Sequence, residues 1–281
     1  MKNQKILFIL IIIFCTFALI AGIYAQFFVP EEEKNNIIIP DLNLIGGDEV
    51  IEKTQEEIKT SLTSLFTNKN EFGTFNTDNI QKMDTQKEIV YEAFNIKEKK
   101  DNYEIEIHLP VINIAGEVPV GFNNITQNKF ANKASEILSN RINEKVIYTV
   151  NYVSYINEDI LSVIIESAYK EGSKPQKVMI ETYNYNLLTG EKVELSDILV
   201  KKNIVQSECQ NKIDKVIQRA QEEAQILVQS GYTVYNRDLE SSIYEIDNVS
   251  TFFWGQKSNL YIIFAYGNEN DTSQMDIVLY E

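Results

Sequence analysis

The chain has one histidine and two cysteines in 281 residues. With a single imidazole, the two-histidine zinc arrangements cannot be built, and sites of several thiolates fail on the same count. A Ser-His-Asp triad has only His108 to draw on, and no G-x-S-x-G is present. A Walker A loop and G-x-G-x-x-G are missing, as is the D-x-[DN]-x-[DN]-G opening of a calcium loop. Metal-dependent polysaccharide deacetylation wants paired histidines with an aspartate, and the pair is absent. Basic residues are also few: 26 Lys and Arg stand against 41 Asp and Glu, a net charge of −15. No basic stripe exists to neutralise phosphates, which excludes a nucleic-acid partner. Anionic lipid and anionic wall polymers are disfavoured in the same way.

What is present begins with Ile6 to Ala25, ILFILIIIFCTFALIAGIYA, which has no charged residue. A helix of this length rises roughly 30 Å, enough to cross the hydrocarbon core of a bilayer. Lys2 and Lys5 precede it, and Glu31, Glu32 and Glu33 follow before the first lysine, Lys34. The positive-inside bias therefore places residues 1–5 in the cytoplasm and the bulk of the chain outside. The run reads as an uncleaved anchor because signal peptides have a shorter apolar region of about 7–15 residues. Ile23-Tyr24-Ala25 is a poor cleavage site, with a bulky Ile where a small residue is usual. Cleavage after Ala25 would instead give a secreted protein. Cys15 lies inside the apolar run and lacks the context of a lipoprotein box.

Subtracting Lys2 and Lys5 leaves the exported part at −15 − 2 = −17. Such a surface attracts a cationic partner and speeds its encounter, or simply keeps an exported protein soluble. Cys209 is the one cysteine beyond the apolar run, so the exported part has no intramolecular disulfide. It reads as a buried helix residue.

Residues 26–50 read as a linker broken by Pro30, Pro40 and Gly46-Gly47, with a possible edge strand at Ile37–Ile39. Ile51, Ile58, Leu62, Leu65 and Phe66 then mark an amphipathic helix ending near Asn68 to Gly73. Lys87–Ile96 and Asn102–Ile112 read as a hairpin turning at Lys97–Asp101. Tyr103, Ile105, Ile107 and Leu109 alternate with Glu104, Glu106 and His108, so His108 belongs to a polar strand face. Pro110 should end the regular run. Asn123 or Asn124 should cap a helix carrying Phe130, Ala134, Ile137, Leu138 and Ile142.

Strand-like runs follow at 146–156, 159–169 and 176–188, then a Thr189-Gly190 turn, a strand at 191–195 and a helical turn capped by Ser196 or Asp197. A long helix over 203–229 carries a seam of Val205, Cys209, Ile213, Val216, Ala220, Ala224 and Leu227, stopped by Gly231. Strands close the chain at 249–254, 259–266 and 275–280. The fold class is α+β: an N-terminal transmembrane helix, then antiparallel sheet with two long packed helices. The organisation expected is 1–5 stub, 6–25 anchor, 26–83 linker with helix, and two α+β modules, 84–175 and 176–281.

A glycosidase needs only two carboxylates at a set spacing, and with 41 acids the sequence nominates no pair. Asn268-Glu269-Asn270-Asp271 is an oxygen-rich loop that could hold Ca²⁺ weakly but reads better as a solvated turn. The many tyrosines on strands suit sheet packing first, then sugar stacking or protein interfaces.

YNYNLLTGEKVELSDILV, from Tyr183 to Val200, resembles part of a bacterial exported domain-of-unknown-function family. That family occurs in ectodomains of lysozyme-sensing anti-sigma factors and in the non-catalytic region of peptidoglycan deacetylases. FFWGQKSNLYIIFAYGNENDTSQMDIVLYE is similar to its closing strands, with Tyr266 at the position of a strand-ending tyrosine. YEIEIHLPVINIAG is similar to its preceding module. The resemblance covers about residues 87–281 and implies a two-part α+β ectodomain with no catalysis of its own. Only Met1–Lys5 would lie inside the cell, so neither a sigma-binding part nor a C-terminal catalytic domain is expected.

The expected function is a membrane-anchored, extracytoplasmic binding or sensing module of the cell envelope. Its partner would be a basic envelope protein such as lysozyme, or peptidoglycan. The alternatives are a wall-glycan hydrolase working through Asp/Glu, or a structural partner of another envelope protein acting through the 51–66 helix. No catalytic, metal or cofactor residue is nominated. Tyr266 and the Thr189-Gly190 turn read as fold determinants.

Overall fold

The computed structural model describes residues 53–67, 69–139, 144–266 and 274–281. The anchor at 6–25, most of the 26–83 linker up to residue 52, the Ile37–Ile39 strand, Ile142 and the Asn268–Asp271 loop lie outside the described residues. Among the described residues no helix is long and apolar enough to cross a membrane. Residues 53–281 form one unit, a mixed α+β fold.

Helix α1 is Gln55–Leu65. Its start is set by a capping box: the Thr54 backbone N–H donates to Glu57, and the Glu57 N–H donates to the Thr54 hydroxyl. Ile58 and Leu62 are its buried positions. Strand β1, Lys69–Glu71, follows where the sequence suggested only a helix end.

Strands β2 (Val90–Lys99) and β3 (Tyr103–Ile112) form the expected hairpin, with a turn shorter than 97–101. Pro110 does not end β3, which runs on to Ile112. Two facts make room for it. The β2 register shifts between Glu92 and Phe94, opposite Pro110, and β3 pairs with its other neighbour only over Tyr103–Ile107. A bulge with an open flank is where a strand tolerates a proline.

The next helical stretch begins earlier than its sequence signals suggested. Helix α2 is Glu117–Thr126, a π turn spans Gln127–Ala131, and α3 is Asn132–Ser139. Asn123 is therefore inside α2 rather than at a cap. Its side-chain amide accepts from Ile112 N–H (2.9 Å) and donates to Ile112 C=O (3.0 Å), taking the place of a strand neighbour. Asn113 grips Asp84 N–H and C=O in the same way (2.8 and 2.7 Å). Gln55 does so to Ile277 (3.0 and 2.9 Å). Each amide presents a donor and an acceptor side by side, as a peptide group does.

Because α2 and α3 carry the chain across, β4 (Val146–Asn157) runs parallel to β3. β1 is also parallel to β4. The large sheet is thus mixed, where the sequence suggested an antiparallel one; parallel neighbours need such a crossover, and the helix supplies it. β5 (Ile160–Glu171) and β6 (Lys177–Asn186) complete the sheet as an antiparallel meander, in the order β2-β3-β4-β5-β6 with β1 also on β4. The division between 84–175 and 176–281 falls between β5 and β6, which are hydrogen-bonded neighbours.

Helix α4 is Leu195–Lys201, and its capping box pairs Glu194 with Asp197. Helix α5 is Gln206–Gln229. Around 191–195 the pairing is a single bridge, Tyr185 with Lys192, rather than a strand. Strands β7 (Phe252–Trp254), β8 (Leu260–Tyr266) and β9 (Gln274–Tyr280) make a second, antiparallel sheet. The α5 seam runs Cys209, Ile213, Ile217, Ala220 and Ala224, with Gln221 also buried. Val216 is turned to the seam's flank, and Val205 and Leu227 are exposed (54 % and 43 %). Steps of four from Cys209 lead to Ile217, not Val216.

Three packed layers of side chains result. Phe122, Phe130, Ala134 and Ile137 cover one face of the large sheet. Cys209, Ile213 and Ile217 cover one face of the small sheet. Between the sheets lie Val153, Tyr155, Ile164 and Ile180 against Phe253, Tyr261, Ile263 and Ile277, together with Ile58 and Leu62 of α1.

The open edge of β7 is satisfied from the large sheet below it. Phe252 N–H donates to the Thr182 hydroxyl (3.0 Å), Asn184 donates to Phe252 C=O (2.8 Å), and Trp254 N–H donates to the Ser162 hydroxyl (3.2 Å). The Ser162 hydroxyl donates to Asn184 (2.7 Å). Asn184→Ala strips partners from a buried carbonyl and a buried hydroxyl. Urea unfolding should show a loss of about 1–3 kcal/mol, the cost of an unsatisfied buried group.

Candidate functional site

Among the described residues, α1 and the small sheet cover only half of one face of the large sheet. On the uncovered half, alternation places Asn95, His108, Asn151 and Glu166 in one row across four strands. Asn95 stands opposite His108, and Asn151 opposite Glu166. His108 and Asn151 lie one residue past the parallel pair Ile107 and Val150. The next row in the same face is Val153 and Ile164, already inside the layer shared with α1 and the small sheet. Glu166 therefore stands at the border between the covered and the open surface.

His108 is on the polar face, as its alternation indicated. It is not widely exposed: its side chain is 16 % accessible, with Nδ1 2.7 Å from Glu92 and Nε2 3.6 Å from Glu106. Asn95 donates to the other Glu92 oxygen (2.6 Å). No hydroxyl nucleophile joins His108 in these contacts. Among the described residues no group of His, Cys, Asp and Glu has the geometry to hold a metal ion.

Two carboxylates of the face, Glu106 and Glu166, behave oppositely. Lys97 bonds to Glu106 (2.7 Å) and holds it below the usual carboxylate range. Glu166 is half-buried, and burial pushes its carboxyl above that range. The folded protein thus holds a proton on Glu166 more tightly than the unfolded chain does. As pH rises from about 4.3 through the raised folded value, unfolding releases that proton and stability falls. Above this window the penalty is complete. Glu166→Gln should therefore raise the urea midpoint at pH 7, with the gain shrinking to nothing as the pH approaches 4.

A second polar group is fully internal. Arg237 makes a two-pronged pair with Asp276 (2.6 and 2.8 Å), and the Tyr266 hydroxyl donates to Asp276 (2.9 Å). Tyr244 and Tyr266 share a hydroxyl contact at 2.9 Å. Tyr235 stacks on Tyr266 at 4.1 Å, and Gln221 accepts from Arg237 N–H (2.7 Å). Burial and the Asp276 carboxylate push the Tyr266 hydroxyl far up. The Arg237, Asp276, Tyr266 and Gln221 side chains are bonded to one another and to the neighbouring backbone, so this network organises the fold.

The chain can now be set beside known proteins. Its structural neighbours include DUF3298 family proteins. One, from Pseudomonas aeruginosa PAO1, has a TM-score of 0.38 and 10 % identity, covering 67 % of this chain and 86 % of its own. Another, from Bacteroides fragilis NCTC 9343, has a TM-score of 0.29 and 10 % identity, covering 63 % and 79 %. No family model and no curated protein matches the sequence.

Of the residues singled out in the sequence, Tyr266 ends β8 inside the buried network, which gives it a structural role. Thr189 and Gly190 form a tight turn: the Asn186 side chain accepts from Leu188 and Thr189 N–H, and Gly190 has φ +76°. Cys209 is buried and free. Most strand tyrosines pack inside, including Tyr148, Tyr152, Tyr155, Tyr185 and Tyr261. Glu166 and Asn151 were not singled out. The signal for Glu166 was a single charge following the apolar run LSVII in its strand.

Proposed function

We propose that the chain is a membrane-anchored, extracytoplasmic binding module of the bacterial cell envelope, without catalysis of its own. Its ligand is a basic wall-associated protein such as lysozyme, or a wall glycan. The observation that carries this reading is Glu166, a half-buried carboxylate with no ion-pair partner among the described residues, at the border of an open polar sheet face. Its charge is disfavoured where it stands, and an incoming lysine or arginine would relieve that cost. Glu92 and Glu106 flank the same face, and the −15 net charge steers a cationic partner toward it.

The test is binding of the full chain in vesicles to lysozyme, at low salt and at about 0.15 M, where the Debye length is about 8 Å. Binding is expected to survive the higher salt and to weaken in Glu166→Gln, while Glu240→Gln, on an exposed turn, changes little. Absence of binding at both salts, for lysozyme and for soluble wall fragments, overturns the reading.

The hydrolase reading draws on the same residue, because a general acid needs a raised carboxyl. Wall-glycan cleavage abolished by Glu166→Gln would establish it in place of simple binding.

A further inference from the structure

The tip of α5 stands out from the rest of the surface. The buried seam stops at Ala224, yet the helix runs on to Gln229. Beyond the seam Ile226, Leu227 and Val228 are 57, 43 and 56 % exposed. Three consecutive residues at steps of about 100° spread over about 200° of the helix, and the uncharged, exposed Gln225 and Gln229 fill the rest. An exposed apolar sector of this width with an uncharged polar remainder suits the plane of a bilayer interface. Gly231 (φ +89°) then reverses the chain, and Tyr232 N–H bonds back to Leu227 C=O (3.0 Å). This sets Tyr232, 64 % exposed, beside the aliphatics. From Ala224 to Asn236, AQILVQSGYTVYN, there is no charged residue, in a chain with 24 % charged residues.

We propose that this tip is an interfacial membrane contact: Ile226, Leu227, Val228 and Tyr232 enter the outer edge of the bilayer to which the chain is anchored. The proposal rests on the reading of residues 6–25 as an anchor. The tip is small, with nine consecutive exposed residues from Gln225 to Thr233, against about 20–30 residues a side in a stable protein interface. A lipid surface needs no shape complement and takes up such a tip whole. Tyrosine, with an apolar ring and a polar end, suits the headgroup level. Glu222 and Glu223 stand just behind the tip. The acidic body is repelled by anionic headgroups, so the neutral tip is the part that can approach a bilayer.

The chain is long enough to allow it. Residues 26–52 number 52 − 25 = 27 and span at most about 90 Å when extended, at roughly 3.3–3.6 Å each. The described unit begins at Lys53, paired with Glu281 at the far end of β9 from Gln274. Helix α5, at 24 residues, is about 36 Å long, well within that reach.

The experiment uses the full chain with Cys15→Ser, reconstituted in phosphatidylcholine vesicles. Val228→Cys carries an environment-sensitive nitrobenzoxadiazole probe; buried Cys209 is not labelled. Lys257→Cys, on a separate turn, is the comparison. Lipid-borne nitroxide is expected to quench the probe at 228 several-fold more than at 257. Leu227→Glu should abolish the difference, and anionic lipid should reduce it. Equal quenching at both positions, in protein that still floats with the vesicles, overturns the tip contact and leaves the anchor standing. Concentration-dependent self-quenching at 228 without lipid quenching replaces lipid by a second copy of the chain. Protein that does not float with the vesicles refutes anchor and tip together.

Discussion

Asp276→Ala is expected to lower the unfolding free energy by about 3–5 kcal/mol, the range for removing one partner of a buried ion pair. Arg237 is 8 % exposed at its side chain and Asp276 1 %, so the guanidinium left behind keeps its charge with almost no access to water. Tyr266 loses its acceptor as well. Urea midpoints and slopes measure the loss. Tyr266→Phe removes the hydroxyl's bond to the Asp276 carboxylate and its contact with Tyr244 but leaves the ion pair intact, and should cost less, about 1.5–3 kcal/mol. The joint replacement Arg237→Met with Asp276→Leu should recover most of the stability lost in Asp276→Ala, since it leaves no unpaired charge. A joint variant as damaged as Asp276→Ala would mean that the network matters for more than charge neutralisation.

Leu62→Ala is expected to cost about 2–5 kcal/mol. Leu62 is 1 % exposed and sits in the layer shared by α1, the large sheet and the small sheet. The apolar stripe of α1 could have served a partner protein, but Ile58 and Leu62 are occupied within the chain. Gln55 fastens the helix to the edge of β9, and Lys53 pairs with Glu281. Truncation should therefore lower stability without altering the oligomeric state, which unfolding and light scattering would report separately. Unchanged stability with a changed oligomeric state would restore α1 to an intermolecular role.

Period-two alternation made β2 and β3 legible and put His108 on the correct face. Cys209, Ile213, Ala220 and Ala224 of the α5 seam and its Gly231 stop were legible for the same reason: local period and turn chemistry survive folding. Val205, Val216 and Leu227 fell off the seam, and Ile217 took a place on it. What escaped depended on distant partners. Pro110 reads locally as a terminator, and only the bulge opposite it shows why the strand continues. Asn123 has the residue type of a helix cap and spends it on Ile112 instead. The parallel step from β3 to β4 follows from where the crossover helix packs, which periodicity does not encode. Glu166 was one of many acids until the sheet placed it across from Asn151, one row from the buried Val153 and Ile164.

The three amides that stand in for strand neighbours, Gln55, Asn113 and Asn123, give the protein a chemical clock. Hydrolysis of any of them to the acid replaces its donor with a second acceptor. A carboxylate then faces the carbonyl of Ile277, Asp84 or Ile112, and a bond that closed an edge becomes a repulsion. These positions differ from the solvated amides of α5, such as Gln218, where the same change leaves no buried group unpaired. As copies age, damage at these three positions would open the fold at the seat of α1, at the segment before β2 and at the β3–α2 junction.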